Sequence, residues 1–313
     1  MEEETPNLIK EGAFYLGIYL LLMLMTLLIP VVGLISLFLL SIPFIFFTKK
    51  HGLKAGGSLG ILAFFITFLI LGPIALPLSL IFVVSGVVIG ECYRRKKTAF
   101  GVLLGGALTY IAGFVLIYVG SIVLLDVNPI QEFQGAMLES TEVADEMMLM
   151  MGVEEGVVLE SVEEFIDGLL VITPVLLIII GVVFAFIVQF ISAFLLKKKG
   201  YDIEKFPPLR EWGFPKAFIW YYLFTYLIIM IGVEEGTALY TVTANLTPIL
   251  YIVMAIQGFA LVFYYFYQKR VNTAIPVIIV VISFLFPIFL HIVRILGIID
   301  LGFDLRKRMN AQK

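Results

Sequence analysis

The chain has 313 residues, 61% of them hydrophobic and 14% charged, with a mean hydropathy of +1.07. Soluble proteins carry about 25% charged residues, and apolar runs such as 169–196 exceed the ~20 residues that span a bilayer, so a soluble fold is excluded. A net charge of −3 without a basic domain excludes nucleic acid as a partner. The single cysteine, Cys92, excludes an intramolecular disulfide framework and a cysteine metal cluster.

Residues 1–5 are acidic where a removable signal would be basic, and no small-residue cleavage site follows the first apolar run. The first segment is therefore expected to stay as a membrane helix near 11–29, with Pro30 and Gly33 turning the chain into a second near 33–48. A third near 57–72 and a fourth near 76–92 are separated by Gly72, Pro73 and Pro77, which predict a break in or near the bilayer. A fifth is predicted near 98–125.

Residues 126–167 contain no Lys or Arg and hold half of the chain's 24 acidic residues. Within them, apolar positions recur at three- and four-residue intervals. This predicts two amphipathic helices broken at the glycines of 152–156. Further membrane helices are predicted near 168–197, 216–232 and 247–267. A final segment broken near Pro287 reads as a hairpin, which gives about ten membrane segments; a single span would give nine.

The basic residues cluster at 49–54, 94–97, 197–216, 269–270 and 306–313, while 126–167 and 232–246 lack them. The positive-inside rule puts the clusters in the cytoplasm and the two bare stretches outside, with both termini cytoplasmic. The expected fold is thus all-α: one polytopic transmembrane helical bundle over 1–313. It carries an acidic extracellular helical insertion at 126–167 and a cytoplasmic loop at 197–216.

No phosphate-loop, zinc-pair or nucleophile-turn motif occurs, and His51 and His291 lack partners at metal-ligand spacing. Neither enzymatic activity, a cofactor nor a metal is expected. The methionines at 147, 148, 150 and 151 read as an adaptable apolar face rather than soft-metal ligands. Gly-Val-Glu-Glu-Gly occurs at 152–156 and 232–236, two solvated turns or two matching acidic receivers for a cation.

Polar groups inside apolar spans are expensive and usually face a bundle interior. Gln189 and Gln257 lie in such spans, and His291 and Arg294 in the last segment. Small residues four apart, Ala13 and Gly17 on the first helix and Gly86 and Gly90 on the fourth, permit close helix approach. For the first helix they also suit an outer face for a partner subunit. Asp304 and Arg308 are spaced to pair across one helical turn.

Gly200-Tyr201-Asp202-Ile203, Pro207-Pro208-Leu209-Arg210-Glu211-Trp212, Phe214-Pro215-Lys216 and Ile219-Trp220-Tyr221-Tyr222, with the ending from Leu296 to Lys307, resemble the YybS-like family of bacterial membrane proteins. The opening Glu11-Gly12-Ala13 fits the same pattern. The resemblance implies a bacterial cytoplasmic membrane and supplies little mechanism. That family is distantly similar to substrate-binding subunits of energy-coupling-factor vitamin transporters and to the rod-shape protein MreD. In the transporter subunits a small-residue pattern on the first helix docks a transmembrane coupling protein, which Ala13 and Gly17 match approximately. The longer chain and the acidic loop depart from those six-helix subunits.

Two functions are expected. The first is small-molecule binding of transporter type, with an outward cavity under residues 130–166, polar contacts from Gln189, Glu234, Glu235, Asn245 and Gln257, and a coupling protein with ATPases as partner. The second is a scaffold for envelope assembly, sporulation or signalling, acting through the 197–216 loop and the tail, with Asp304 and Arg308 on its surface.

Overall fold

In a computed structural model, residues 4–150 and 157–311 are described, and among them the ordered elements are helices without strands. In chain order these are α1 (Glu4–Leu28), α2 (Pro30–Leu37), α3 (Ile42–His51), α4 (Leu53–Leu71), α5 (Leu76–Arg94), α6 (Ala99–Leu125), α7 (Pro129–Met150), α8 (Val157–Lys198), α9 (Ala217–Ile231), α10 (Ala238–Gln268), α11 (Ala274–Leu285), α12 (Pro287–Phe303) and α13 (Leu305–Ala311). Among the described residues seven stretches are long and apolar enough to cross a membrane, α2 and α3 forming one of them. The bent α11–α12 pair adds an eighth if it is one span, and α9 is shorter.

The helix ends follow local chemistry. Gly72 adopts φ +74 after α4, and Pro73–Ala75 forms a short 3-10 turn before α5, so the predicted break is present. Thr98 accepts from Gly101 N–H to cap α6, and Thr237 accepts from Tyr240 N–H to cap α10. α11 and α12 meet at Phe286 with a bend of 119°, so the predicted break near Pro287 is present, as a broken span or a re-entrant hairpin. The two helices expected in the acidic stretch appear as α7 and the start of α8. The second runs on unbroken into the membrane segment. The glycines of 152–156 lie outside the described residues, and so do the side chains of 142–164.

The chain divides into two compact units, Met1–Glu163 with Leu176–Phe206, and Glu164–Val175 with Pro207–Lys313. In the first, α5 lies tight on α3, because a Cβ at Gly86 would come 2.6 Å from Ser41 O and one at Gly90 2.8 Å from Ile45 O. Small residues four apart here serve internal packing. Tyr19, Phe44, Phe82 and Tyr110 are fully buried at the centre. The two tyrosine hydroxyls are satisfied: Tyr19 donates to Ser79 Oγ at 2.8 Å, and Tyr110 donates to Ser41 Oγ at 2.7 Å, which in turn donates to Phe82 O.

In the second unit, α10 and α12 cross at two glycines. A Cβ on Gly258 would sit 1.9 Å from Val293 O, and one on Gly297 2.0 Å from Met254 O, so the backbones touch where no side chain fits. This crossing sets the places of two buried polar side chains, Gln257 and Asp300.

Candidate functional site

Gln257 precedes Gly258, and Asp300 lies one turn beyond Gly297, so the crossing brings the two side chains together. Both are buried, at 2% and 3% exposure. Gln257 Nε2 donates to Asp300 Oδ2, and Gln257 Oε1 accepts from Phe214 N–H at 3.1 Å. A carboxylate buried at this depth needs a counter-charge. Arg306 of α13 supplies it, with Nε 2.8 Å from Asp300 Oδ2 and its own backbone N–H on Asp300 Oδ1. Its Nη1 donates to the carbonyls of Arg210 and Trp212, at 3.1 and 2.6 Å. One arginine thereby clasps the end of α12 to the 207–216 segment.

That segment is fixed elsewhere too. Trp212 Nε1 donates to Pro207 O, and the Arg210 guanidinium stacks 3.9 Å from the centre of the Tyr267 ring on α10. Gly213 leaves room for Arg306, whose Nη2 would lie 3.4 Å from a Cβ there. Lys216 donates to Asp304 Oδ2, and this pairing holds the Asp304 carboxyl below the usual carboxylate range.

The segment, the end of α10, the start of α11 and the α12–α13 junction line a half-open cavity of about 1110 Å³. Five cationic side chains and three acidic ones line it, with aromatic rings of α10 such as Phe263 and Tyr267 between them. It lies at the Lys/Arg-rich end of the helices, not at the acidic end where the outward cavity was expected. The lid expected from 130–166 rests largely on side chains outside the described residues.

Of the expected ligand contacts, Gln257 alone lines this cavity. Gln189 belongs to the first unit, where it is buried and donates to Ala99 O at 2.8 Å. Asn245 is engaged by the backbone of α8: Oδ1 accepts from Val175 N–H, and Nδ2 donates to Val171 O. Glu234 and Glu235 are exposed on the turn ahead of α10. Ala13 and Gly17 lie on an exposed face of α1, with open space around Gly17. Asp304 turns to Lys216 rather than to Arg308. The reason is local: Asp304 is left-handed at φ 49 and ends α12, so it does not share a regular helix with Arg308. Arg308 lies instead 6.0 Å from the Phe303 ring.

Asp300 and Arg306 were not among the expected contacts. The signal for Asp300 was a charged residue three positions after Gly297 in an apolar run; Arg306, within the basic tail, carried none. Two of the stretches that carry the family resemblance, 207–216 and 296–307, are the two that this clasp joins.

Long apolar helices, glycine-mediated crossings and a polar clasp at one end define a polytopic helical membrane protein. A family described as "Predicted membrane protein (DUF2232)" matches residues 17–301, and the chain belongs to that family. It is 29% identical over 305 residues to "Uncharacterized protein YybS" of Bacillus subtilis (strain 168), covering 96% of this chain and 98% of the relative. No solved structure matches the chain.

Proposed function

We propose that the chain is a small-molecule-binding membrane protein of transporter type, with its ligand in the cavity beside the Gln257–Asp300–Arg306 clasp. The observation that carries this reading is the cavity itself. Its volume of about 1110 Å³ matches sites for small molecules and cofactors, which run to roughly 1,000 Å³. A scaffold would need no such space. Neither the family description nor the relative's name carries an activity, so the reading rests on geometry.

Under the positive-inside rule the cavity faces the cytoplasm of a bacterial cell, with both termini on that side. The reading is of binding rather than catalysis. Solute movement would need a partner, because the sequence holds no phosphate-loop motif. The open face of α1 around Ala13 and Gly17 is the surface proposed for a coupling protein.

One observation favours the scaffold reading: Lys216 and Asp304 join the 207–216 segment and the tail into one charged surface. Thermal unfolding of the detergent-purified chain against vitamin and metabolite panels separates the two. A ligand that raises the midpoint in the natural chain and not in Val271→Trp, which fills the cavity wall, is the expected result. No shift with any compound and no co-purifying small molecule would overturn the transporter-type reading.

A further inference from the structure

The charges around the cavity do not cancel. Asp300 is taken up by Gln257 and Arg306. Asp304 is held by Lys216 at 2.5 Å, leaving Lys307 3.9 Å away and 83% exposed. Glu211 lies 3.6 Å from its neighbour Arg210. Arg270 has neither an ion pair nor a side-chain hydrogen bond among the described residues, and its backbone is left-handed at φ 55, ending α10. Two cations thus stand on the wall without a full counter-charge, and the Arg210 guanidinium keeps donors to spare beyond its stacking on Tyr267.

From this we infer that the ligand carries a phosphate group, an inference that rests on the cavity being the binding site. A single carboxylate would neutralise one of the two spare cations, whereas a phosphate monoester carries −1.5 to −2 charges near neutral pH and three acceptor oxygens. Arginine and lysine donors match such a group well. The aromatic rings and the volume leave room for an apolar or ring-bearing body beside the phosphate. A soluble phosphate ester and a lipid headgroup share this chemistry, and the cavity's place at the ends of membrane helices makes both sources relevant.

The test uses the full chain in neutral detergent or nanodiscs, with phenyl phosphate and inorganic pyrophosphate as soluble probes and phosphatidic acid in phosphatidylcholine as the lipid probe. Stabilisation by a soluble probe, or by phosphatidic acid over phosphatidylcholine alone, is expected and identifies the source. The double variant Arg270→Asn, Lys307→Gln should bind that probe about tenfold more weakly or worse. Asparagine is chosen because it tolerates the left-handed backbone. No shift with any phosphate probe, or a shift that the double variant keeps in full, overturns the inference. A neutral metabolite that binds equally to both forms overturns it while leaving the cavity reading intact. Silence from phosphates and metabolites alike removes both.

Discussion

Asn245 bridges, from α10, the backbone gap that Pro174 opens in α8. Proline lacks an N–H and crowds the preceding turn. The N–H of Val175 and the carbonyl of Val171, the pair of the helical turn next to the proline, meet Asn245 Oδ1 at 3.0 Å and Nδ2 at 2.8 Å. A bilayer has no water to satisfy such groups, so the side chain takes that role.

Asn245→Leu should therefore lower stability by about 1–3 kcal/mol, the range for unsatisfied buried polar groups. Restoring the backbone with Pro174→Ala should recover much of that loss. A double-mutant cycle on thermal unfolding checks this; additive losses would mean that the two sites are independent.

The buried clasp predicts an asymmetry. Arg306→Met leaves Asp300 charged and buried without its counter-ion, which should cost about 3–5 kcal/mol. Asp300→Asn leaves Arg306 with two carbonyl acceptors and should cost less. Denaturation of both variants in mild detergent decides it, and equal losses would contradict the geometry.

The glycine crossing gives a steric test. Gly258→Ala and Gly297→Ala must push α10 and α12 apart, because the new Cβ would lie about 2 Å from a carbonyl oxygen. Each should destabilise by about 1–3 kcal/mol or more. Gly17→Ala on the open face of α1 meets nothing within 4 Å and should leave the unfolding midpoint unchanged or slightly raised.

Asp304 offers a pH signature. Its carboxyl is held below its ordinary value of 3.8 by Lys216, so the stabilisation is present above that value and is lost as pH falls through the folded one. The stability gap between the natural chain and Lys216→Gln should be open near neutral pH and close in acid. A gap that widens on acidification would refute the pairing.

The hairpin is open to labelling. With α11 and α12 bent by 119°, cysteines placed at Thr273 and Arg308 should react with an impermeant maleimide from the same side of the membrane. Reaction from opposite sides would make the pair one crossing span.

The helices, the break at Gly72 and Pro73, and the bend at Pro287 were legible because apolar runs, proline and glycine act locally. The internal use of Gly86 and Gly90 was legible for the same reason. The clasp was not. Gln257, Asp300 and Arg306 meet only because α10 and α12 cross at Gly258 and Gly297, and no periodicity within one helix encodes a partner on another. The cavity was expected at the acidic end because charge asymmetry marks an orientation, not where the helices leave space between them. Its wall is the irregular 207–216 segment, whose path depends on carbonyls that Arg306 reaches. Asn245 was expected as a polar contact of an outward cavity; its engagement with Val171 and Val175, beside Pro174, lies on a different helix that no pattern around residue 245 encodes.

The clasp also imposes an order on biosynthesis. A ribosome makes the 207–216 segment and Gln257 well before Asp300 and Arg306, and nascent chains fold from the N-terminal side. Until α12 and α13 emerge, Gln257 Nε2 and the carbonyls of Arg210 and Trp212 wait for partners not yet synthesised. A transcript truncated ahead of residue 300 would leave an unfinished second unit with exposed polar backbone, the kind of product that membrane quality-control proteases remove. Unit one, whose internal contacts are complete by residue 206, does not depend in this way on the later-made helices.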